Sequence, residues 1–222
     1  GATVKTTTAF TYTADALSLS ATNKLRDGAV RKSETTYTGN EGEEKAQKTY
    51  NYNFDGDQIK TVTSFFYTAD ALSSSNTNRV ANVTDVILAV SLGAMRSITT
   101  YAGNEGEEKA QRTYNYNFDG DQIKTVTSFT YTADALTLSV THRNDAITGD
   151  TADVVLGAKR SETIYTGNEG EEKAQKTYNY NFAGATVKTT TAFTYTADAL
   201  SSSVTNKLKD GTVRKSETTY TG

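Results

Sequence analysis

The chain has 222 residues and a net charge of −3, and its composition excludes several classes of protein. It contains no cysteine, so disulfides, thiol nucleophiles and thiolate metal sites are absent. The interleaved charges provide no basic surface for nucleic acid, and no apolar run approaches the roughly 18 residues of a membrane-spanning helix. We therefore expect no nucleic-acid partner and no membrane span in this segment.

The predicted elements are strands, because apolar and polar residues alternate with a period of two. Tyr50, Tyr52 and Phe54 share one face of a predicted strand, and we expect them to pack in the interior of the sheet. The absence of proline suits a chain that consists of paired strands and tight turns. In chain order, the predicted strands of one repeat are Glu34–Thr38, Glu43–Phe54, Gln58–Thr68 and Leu72–Thr77.

The connections between these strands predict hairpins. Asp55-Gly56 is typical of a type I′ turn, which needs positive φ at both central residues, and Asn40 to Gly42 offers a slightly longer turn. After the last strand comes a variable loop with a short apolar run, Val86 to Val90. For this run we expect a fifth strand or an inter-subunit contact in preference to a helical turn. The predicted fold is all-β, an antiparallel meander with essentially no helix.

Internal repeats cover the whole chain and give its domain organisation. The block Gly39–Gln47 recurs at Gly103 and Gly167, a spacing of 64 residues. One repeat is shorter by nine residues, all in the variable loop. The predicted division is a partial repeat over residues 1–36, repeats of 64 residues over 37–100 and 101–164, a repeat of 55 over 165–219, and the start of another over 220–222.

The sequence also returns to its own phase, since Gly1–Ser18 is identical to Gly184–Ser201. We expect it to be a window on a much longer chain or on a polymer of identical windows. Neighbouring repeats in such arrays stabilise one another. The predicted partner is therefore the protein itself, in a homopolymeric filament or a very long chain.

A tyrosine recurs every 15 residues, as at Tyr37, Tyr52 and Tyr67. The segments that follow three of the tyrosines, Tyr52–Thr63, Tyr116–Thr127 and Tyr195–Asn206, resemble the YD repeat of RHS-type bacterial proteins. The resemblance implies hairpins wound side by side into a β-spiral, solenoid or tube, in a protein that is secreted or exposed on the cell surface. The Gly-Arg-apolar step of that family is missing here, and nothing resembles a toxin or a self-cleaving domain.

Three groups of residues invite a chemical role, and the repeats test two of them internally. His142 is the only histidine, and asparagine replaces it in the other repeats, so we predict a solvated loop residue and not a general base. Asp55-Gly56-Asp57 suggests calcium ligands, but a third copy reads Ala183-Gly184-Ala185. Two carboxylates also fall short of the six to eight oxygens that calcium takes. We predict no catalytic, cofactor-binding or metal-binding residues.

The third group is the set Glu41, Glu43, Glu44 and Lys45, which recurs in every full copy of its block. We interpret it as a charged edge that limits wrong strand pairing. Calcium bridging between stacked Glu rows is the alternative. The Thr-rich strand that begins at Thr6 resembles the surface of some ice-binding β-solenoids, although the β-propensity of threonine explains it more simply.

These observations predict a structural, self-assembling extracellular β-repeat protein that forms a fibre, filament or sheath, and not an enzyme. The competing hypothesis is a binding module, either a surface adhesin or a ligand- or ice-binding β-solenoid. Cofactors are not expected.

Overall fold

A computed structural model describes residues 5–24, 30–209 and 211–220. Fifteen strands follow one another in the sheet in the order in which they occur in the chain, which confirms the predicted all-β antiparallel meander. The winding of the hairpins into a spiral, solenoid or tube stays a prediction. The strands are β1 Thr6–Thr13, β2 Ala16–Lys24, β3 Val30–Thr38, β4 Lys45–Tyr52, β5 Ile59–Thr68, β6 Ala71–Val80, β7 Leu92–Ala102, β8 Lys109–Tyr116, β9 Ile123–Thr132, β10 Ala135–Asn144, β11 Leu156–Thr166, β12 Lys173–Tyr180, β13 Val187–Thr196, β14 Ala199–Lys207 and β15 Arg214–Thr219.

The four strands predicted for the first full repeat correspond to β3, β4, β5 and β6. β3 begins four residues earlier than predicted, β4 is shorter at both ends, and β6 continues to Val80. The chain divides into two compact units, one of Gly1–Lys109 with Tyr116–Asp121 and the other of Ala110–Asn115 with Gln122–Gly222.

The tightest turns lie at Ala-Asp and not at Asp-Gly. Thr68 pairs with Ala71, so the loop between β5 and β6 has two residues, Ala69 and Asp70, with φ of 47° and 67°. Positive φ at both positions is the signature of the type I′ hairpin. The same pair of positive angles recurs at Ala14-Asp15, Ala133-Asp134 and Ala197-Asp198.

The type I′ turn predicted at Asp55-Gly56 is wrong. Of these two residues only Gly56 has positive φ, at 74°, and the connection is a longer loop closed by Asn53, whose N–H donates to the carbonyl of Gln58 at 2.8 Å. The side-chain oxygen of Asn53 accepts from the N–H of Asp57 at 3.1 Å. An asparagine side chain that bonds its own downstream backbone replaces the two-residue turn.

Alanine at positive φ leads to a stability prediction. An L-residue other than Gly, Asn or Asp pays about 1–2 kcal/mol in this region, so Ala133→Asn should stabilise the chain by up to about 1 kcal/mol. Ala152→Asn is the control, because Ala152 is also exposed and does not have positive φ. Urea denaturation of both variants would measure the difference. Equal effects would show that the turn is not strained.

The hydrophobic core is small and lies toward one end of the strands. In the first unit, buried Tyr50, Ile59 and Val62 form a cluster. Phe54 does not join it, because its side chain is 84% exposed. The prediction that Tyr50, Tyr52 and Phe54 all pack inside the sheet is therefore wrong for Phe54, which lies beyond the end of β4, where the alternation no longer applies.

The variable loop covers this core. Residues 81–91, here called the long lid, contain a 3-10 helix at Ile87–Ala89, so the predicted fifth strand is wrong. Ile87 and Val90 pack against the buried cluster, and the N–H of Ile59 donates to the carbonyl of Thr84 at 2.8 Å. A helical turn is favoured over a strand because it directs these apolar side chains onto the sheet.

The second unit repeats the arrangement with a second long lid, residues 145–155, which contains the 3-10 helix Thr151–Asp153. Ile123 and Val126 take the places of Ile59 and Val62 and are 2% and 0% exposed. The N–H of Ile123 donates to the carbonyl of Thr148 at 2.8 Å, as Ile59 does to Thr84 in the first unit.

Where the loop is short, the covered residues change with it. The equivalents of Ile123 and Val126 beneath the loop between β14 and β15 are Val187 and Thr190, each 8% exposed. The hydroxyl of Thr190 donates to the carbonyl of Leu208 at 2.9 Å. The short lid thus offers a backbone acceptor where the long lid offers apolar side chains, and valine is replaced by threonine to match.

Candidate interaction surface: repeated contacts between hairpins

The Glu-rich loops bind the backbone of a strand that is not their sheet neighbour. Glu44 lies between β3 and β4, and its Oε1 accepts from the N–H of Leu17, in β2, at 2.8 Å. Its Oε2 accepts from the N–H of Gly42 at 3.0 Å. The same contact recurs from Glu108 to Leu72 at 2.8 Å and from Glu172 to Leu136 at 2.9 Å. We call these three bonds the Glu44-type contacts.

These contacts explain why one glutamate in the block is placed as it is. The pKa of the Glu44 carboxyl is lowered chiefly by the N–H of Leu17, and that of Glu108 chiefly by the N–H of Leu72. A hydrogen bond to the charged form favours that form. Glu43 has a more local contact, since its Oε2 accepts from the Asn40 amide at 3.3 Å. The interpretation of the whole Glu block as a solubilising edge therefore omits a bond specific to Glu44.

Lys45, at the start of β4, connects a second set of hairpins. Its ammonium lies 2.6 Å from the carboxylate of Asp70, which belongs to the β5–β6 turn, and 3.4 Å from that of Glu105, in the β7–β8 loop. Asp70 is the main cause of a raised pKa at Lys45. Lys173 and Asp198 form the equivalent pair at 2.5 Å. Each lysine thus ties the lead-in of one strand to the turn of a following hairpin.

The tyrosine beat marks β-bulges. The register of the pairing shifts immediately before Tyr52 and Tyr67, and the same shift occurs before Tyr12, Tyr37, Tyr165, Tyr180 and Tyr195. A bulge bends its strand and redirects the side chain next to it. The hydroxyl of Tyr67 then donates to the carbonyl of Ala46 at 2.9 Å. Each tyrosine therefore fixes a strand where its ladder is interrupted.

A further contact repeats at the opposite ends of the strands. The side chains of Lys24, Arg79 and Arg143 stack on the rings of Phe54, Phe118 and Phe182, at 3.8, 4.9 and 4.8 Å from the ring centres. Each cation ends one hairpin and each ring belongs to the loop of a later one. These pairs explain why the three phenylalanines recur although they are largely exposed, since a cation–π contact needs an accessible ring face.

The Asp-Gly-Asp loop keeps its shape without its carboxylates. Gly184, flanked by alanines, has φ of 73°, close to the 74° of Gly56 and the 77° of Gly120. The side-chain oxygen of Asn181 accepts from the N–H of Ala185 at 3.1 Å, as Asn53 does in the first copy. The asparagine and the glycine therefore form the loop, and the acids are dispensable for its geometry.

The position of His142 differs from the prediction. It lies within β10 and not in a loop, it is half-buried, and its Nδ1 is buried without a hydrogen-bond partner among the described residues. Burial, with a smaller contribution from Lys159, lowers the pKa of His142. At the equivalent position, the Asn78 amide donates to the carbonyl of Gly93 at 3.0 Å. The histidine departs from a bond that the other repeat makes.

A pH dependence follows. Because the pKa of His142 is lowered in the folded chain, its unfolded form takes up a proton first as the pH falls below about 6.5, and the folded state loses stability there. His142→Asn should reduce the loss of stability between pH 7.5 and pH 5.5, as measured by urea denaturation. His142→Gln serves as a second neutral control, and an unchanged pH profile in both variants would contradict the assignment.

Within residues 5–24, 30–209 and 211–220, no three His, Cys, Asp or Glu side chains form a group suited to a metal ion. In the same part of the chain, no helix has the length and apolar character needed to cross a membrane.

Comparison with known proteins adds little to this description. No protein-family profile matches the sequence, and no curated protein matches it. Among solved structures, the chain is similar to a porin-like protein from Bacteroides uniformis, with 11% sequence identity and a TM-score of 0.40 over 90% of this chain and 87% of that chain. At this level the similarity carries no inference about function.

Proposed function

We propose that this is a structural β-repeat protein whose role is to form a long, self-associating filament or sheath outside the cell, without catalysis. The observation that carries the proposal is the Glu44-type contact, repeated at Glu44, Glu108 and Glu172, through which the loop of one hairpin binds the backbone of an earlier one. Contacts that recur at equivalent positions of successive units are the means by which repeat arrays gain stability with length.

The composition of the interior supports the same role. The buried cluster of the first unit contains only three residues, so each hairpin depends on pairing and on contacts with its neighbours. The extracellular or cell-surface location rests on the resemblance to the YD repeat of RHS-type proteins. Electron microscopy of the purified chain tests the proposal: long uniform filaments are expected, and dispersed monomers at all concentrations would overturn it. Filaments unchanged in length by a calcium chelator would exclude calcium bridging between Glu rows.

An ice- or ligand-binding surface is the second candidate, and the Thr rows bear on it. Thr35, Thr49, Thr63 and Thr77 are aligned across four strands. The hydroxyls bond to each other in pairs, Thr35 to Thr49 at 2.8 Å and Thr63 to Thr77 at 2.9 Å. Hydroxyls that satisfy one another across strands stabilise the sheet, which favours the structural role. Thermal hysteresis or altered ice growth by the purified chain would favour the alternative.

The Glu44-type contacts give a direct test. Replacing Glu44, Glu108 and Glu172 together by Gln should lower the melting temperature at pH 7 and shorten the filaments. The folded pKa of Glu44 lies below its ordinary value of 4.5, so the stabilisation is present above that pH and is lost as the pH falls through the folded pKa. The triple variant should therefore lack part of this acid sensitivity.

The matched control replaces Glu43, Glu107 and Glu171 by Gln. It makes the same change in charge one residue earlier, where Glu43 and Glu107 bond only to asparagines of their own loops. Equal losses in the two triple variants would show that net charge, and not the contact between hairpins, accounts for the effect.

A further inference from the structure

The two end strands of the sheet have buried counterparts of identical sequence within the chain. β1 and the last eight residues of β13, Thr189–Thr196, both read Thr-Thr-Thr-Ala-Phe-Thr-Tyr-Thr. β13 lies between β12 and β14 and is largely buried or half-buried. β1 pairs with β2, and all eight of its residues are exposed. The difference shows that β1 presents to solvent the edge that β13 presents to β12.

β15 stands in the same relation to β3. Its residues Arg214–Thr219 repeat the sequence of residues 31–36, which lie in β3 between β2 and β4. All six residues of β15 are exposed, whereas four of the six counterparts in β3 are half-buried. β15 therefore exposes the edge that β3 presents to β4.

The strands that cover these two edges inside the sheet are themselves identical. β4 and β12 both read Lys-Ala-Gln-Lys-Thr-Tyr-Asn-Tyr. In the internal pairings, Thr177 of β12 lies opposite Thr191 of β13, and Thr49 of β4 lies opposite Thr35 of β3. One strand sequence thus fits both ends of the sheet.

We propose that each end of the sheet binds an extended strand of sequence Lys-Ala-Gln-Lys-Thr-Tyr-Asn-Tyr supplied by another polypeptide chain. This inference deepens the proposed function, because it names the segment by which the array is extended. Added strands bind through the backbone ladder, and side-chain complementarity sets their register. The central threonine of the bound strand lies opposite Thr8 at the first edge and opposite Thr218 at the second.

The side-chain contacts that select this strand follow from its internal copies. At β15, the hydroxyl of Thr218 meets that of the incoming threonine, as Thr35 meets Thr49 at 2.8 Å. At β1, Tyr12 donates to the carbonyl of the incoming alanine, as Tyr195 donates to Ala174 at 2.9 Å. A strand without threonine and alanine at these places would retain the ladder but lose the register.

The experiment uses a labelled synthetic peptide with the sequence of residues 39–54 and the purified 222-residue chain. Fluorescence anisotropy should give two equivalents of bound peptide. A scrambled peptide, and one carrying Pro in place of the threonine of position 49, should bind at least tenfold more weakly, because proline cannot donate to the ladder. Absence of binding, or equal binding of the scrambled peptide, would overturn the inference.

Disulfide trapping tests the register, and it is clean because the chain has no cysteine. A peptide with Cys at position 49 should cross-link to the Thr218→Cys variant at least tenfold more than to Ser216→Cys, two residues out of register. Equal cross-linking would overturn the proposed pairing. Filaments that form while the peptide fails to bind would overturn this inference alone, whereas binding by a chain that stays monomeric supports it and counts against self-assembly.

Discussion

Replacing Ile123 by Ala should cost about 2–5 kcal/mol of unfolding free energy, the range for removing a buried isoleucine side chain. Ile123 is 2% exposed, and the N–H of its backbone donates to Thr148 in the long lid above it. Truncation would leave a cavity between the sheet and the lid, in a chain with few other buried apolar side chains. Urea denaturation of the purified variant is the measurement.

Ile147 provides the matched control. It belongs to the lid of the same unit, but its side chain is 87% exposed. The same substitution there should change the unfolding free energy by no more than about 0.5 kcal/mol. Similar losses in Ile123→Ala and Ile147→Ala would mean that the lid does not exclude water from the strand beneath it.

A second large effect is expected at Gly120. Its φ is 77°, and a Cβ added there would lie 2.4 Å from the backbone nitrogen of Met95. Gly120→Ala therefore combines the cost of positive φ, about 1–2 kcal/mol, with a steric cost of about 1–3 kcal/mol for forcing atoms into a filled space. The neighbouring strand must move, since the obstructing atom belongs to the backbone.

Gly106 separates these two contributions. Its φ is 81°, but nothing lies within 4 Å of an added Cβ. Gly106→Ala should therefore show the cost of positive φ alone, about 1–2 kcal/mol. The difference between the two variants, measured by chemical denaturation, reports the close approach of the Gly120 loop to β7. A difference near zero would show that this loop is free to move away.

Strand positions were predictable because alternation depends on a sheet with two distinct faces, and β5 departs from its prediction by a single residue at its start. The turns were less predictable. Asp55-Gly56 has the composition of a type I′ turn, yet the Asn53 side chain closes a longer loop there. Ala69-Asp70 has no such composition and still adopts the turn. Pairing of the flanking strands overrides the local preference of alanine.

The repeated contacts were less accessible to sequence analysis. A bulge shifts the alternation by one residue, so the position of Tyr52 at a register shift is visible only in the paired strands. The bond from Glu44 to Leu17 joins residues 27 positions apart, beyond any local pattern. One signal was present in the sequence: Ile59 and Val62 precede a long loop, whereas Val187 and Thr190 precede a short one.

The two kinds of lid give the chain an uneven response to tension. Repeats under a long lid close over isoleucine and valine, whereas the repeat under the short lid closes over Val187 and Thr190, which retain slightly more contact with water. A stretched fibre built from both would unravel first at its short-lid segments and hold at the others. Alternating the two lengths along one chain thus produces a material with sacrificial segments, which lengthens in steps before it breaks.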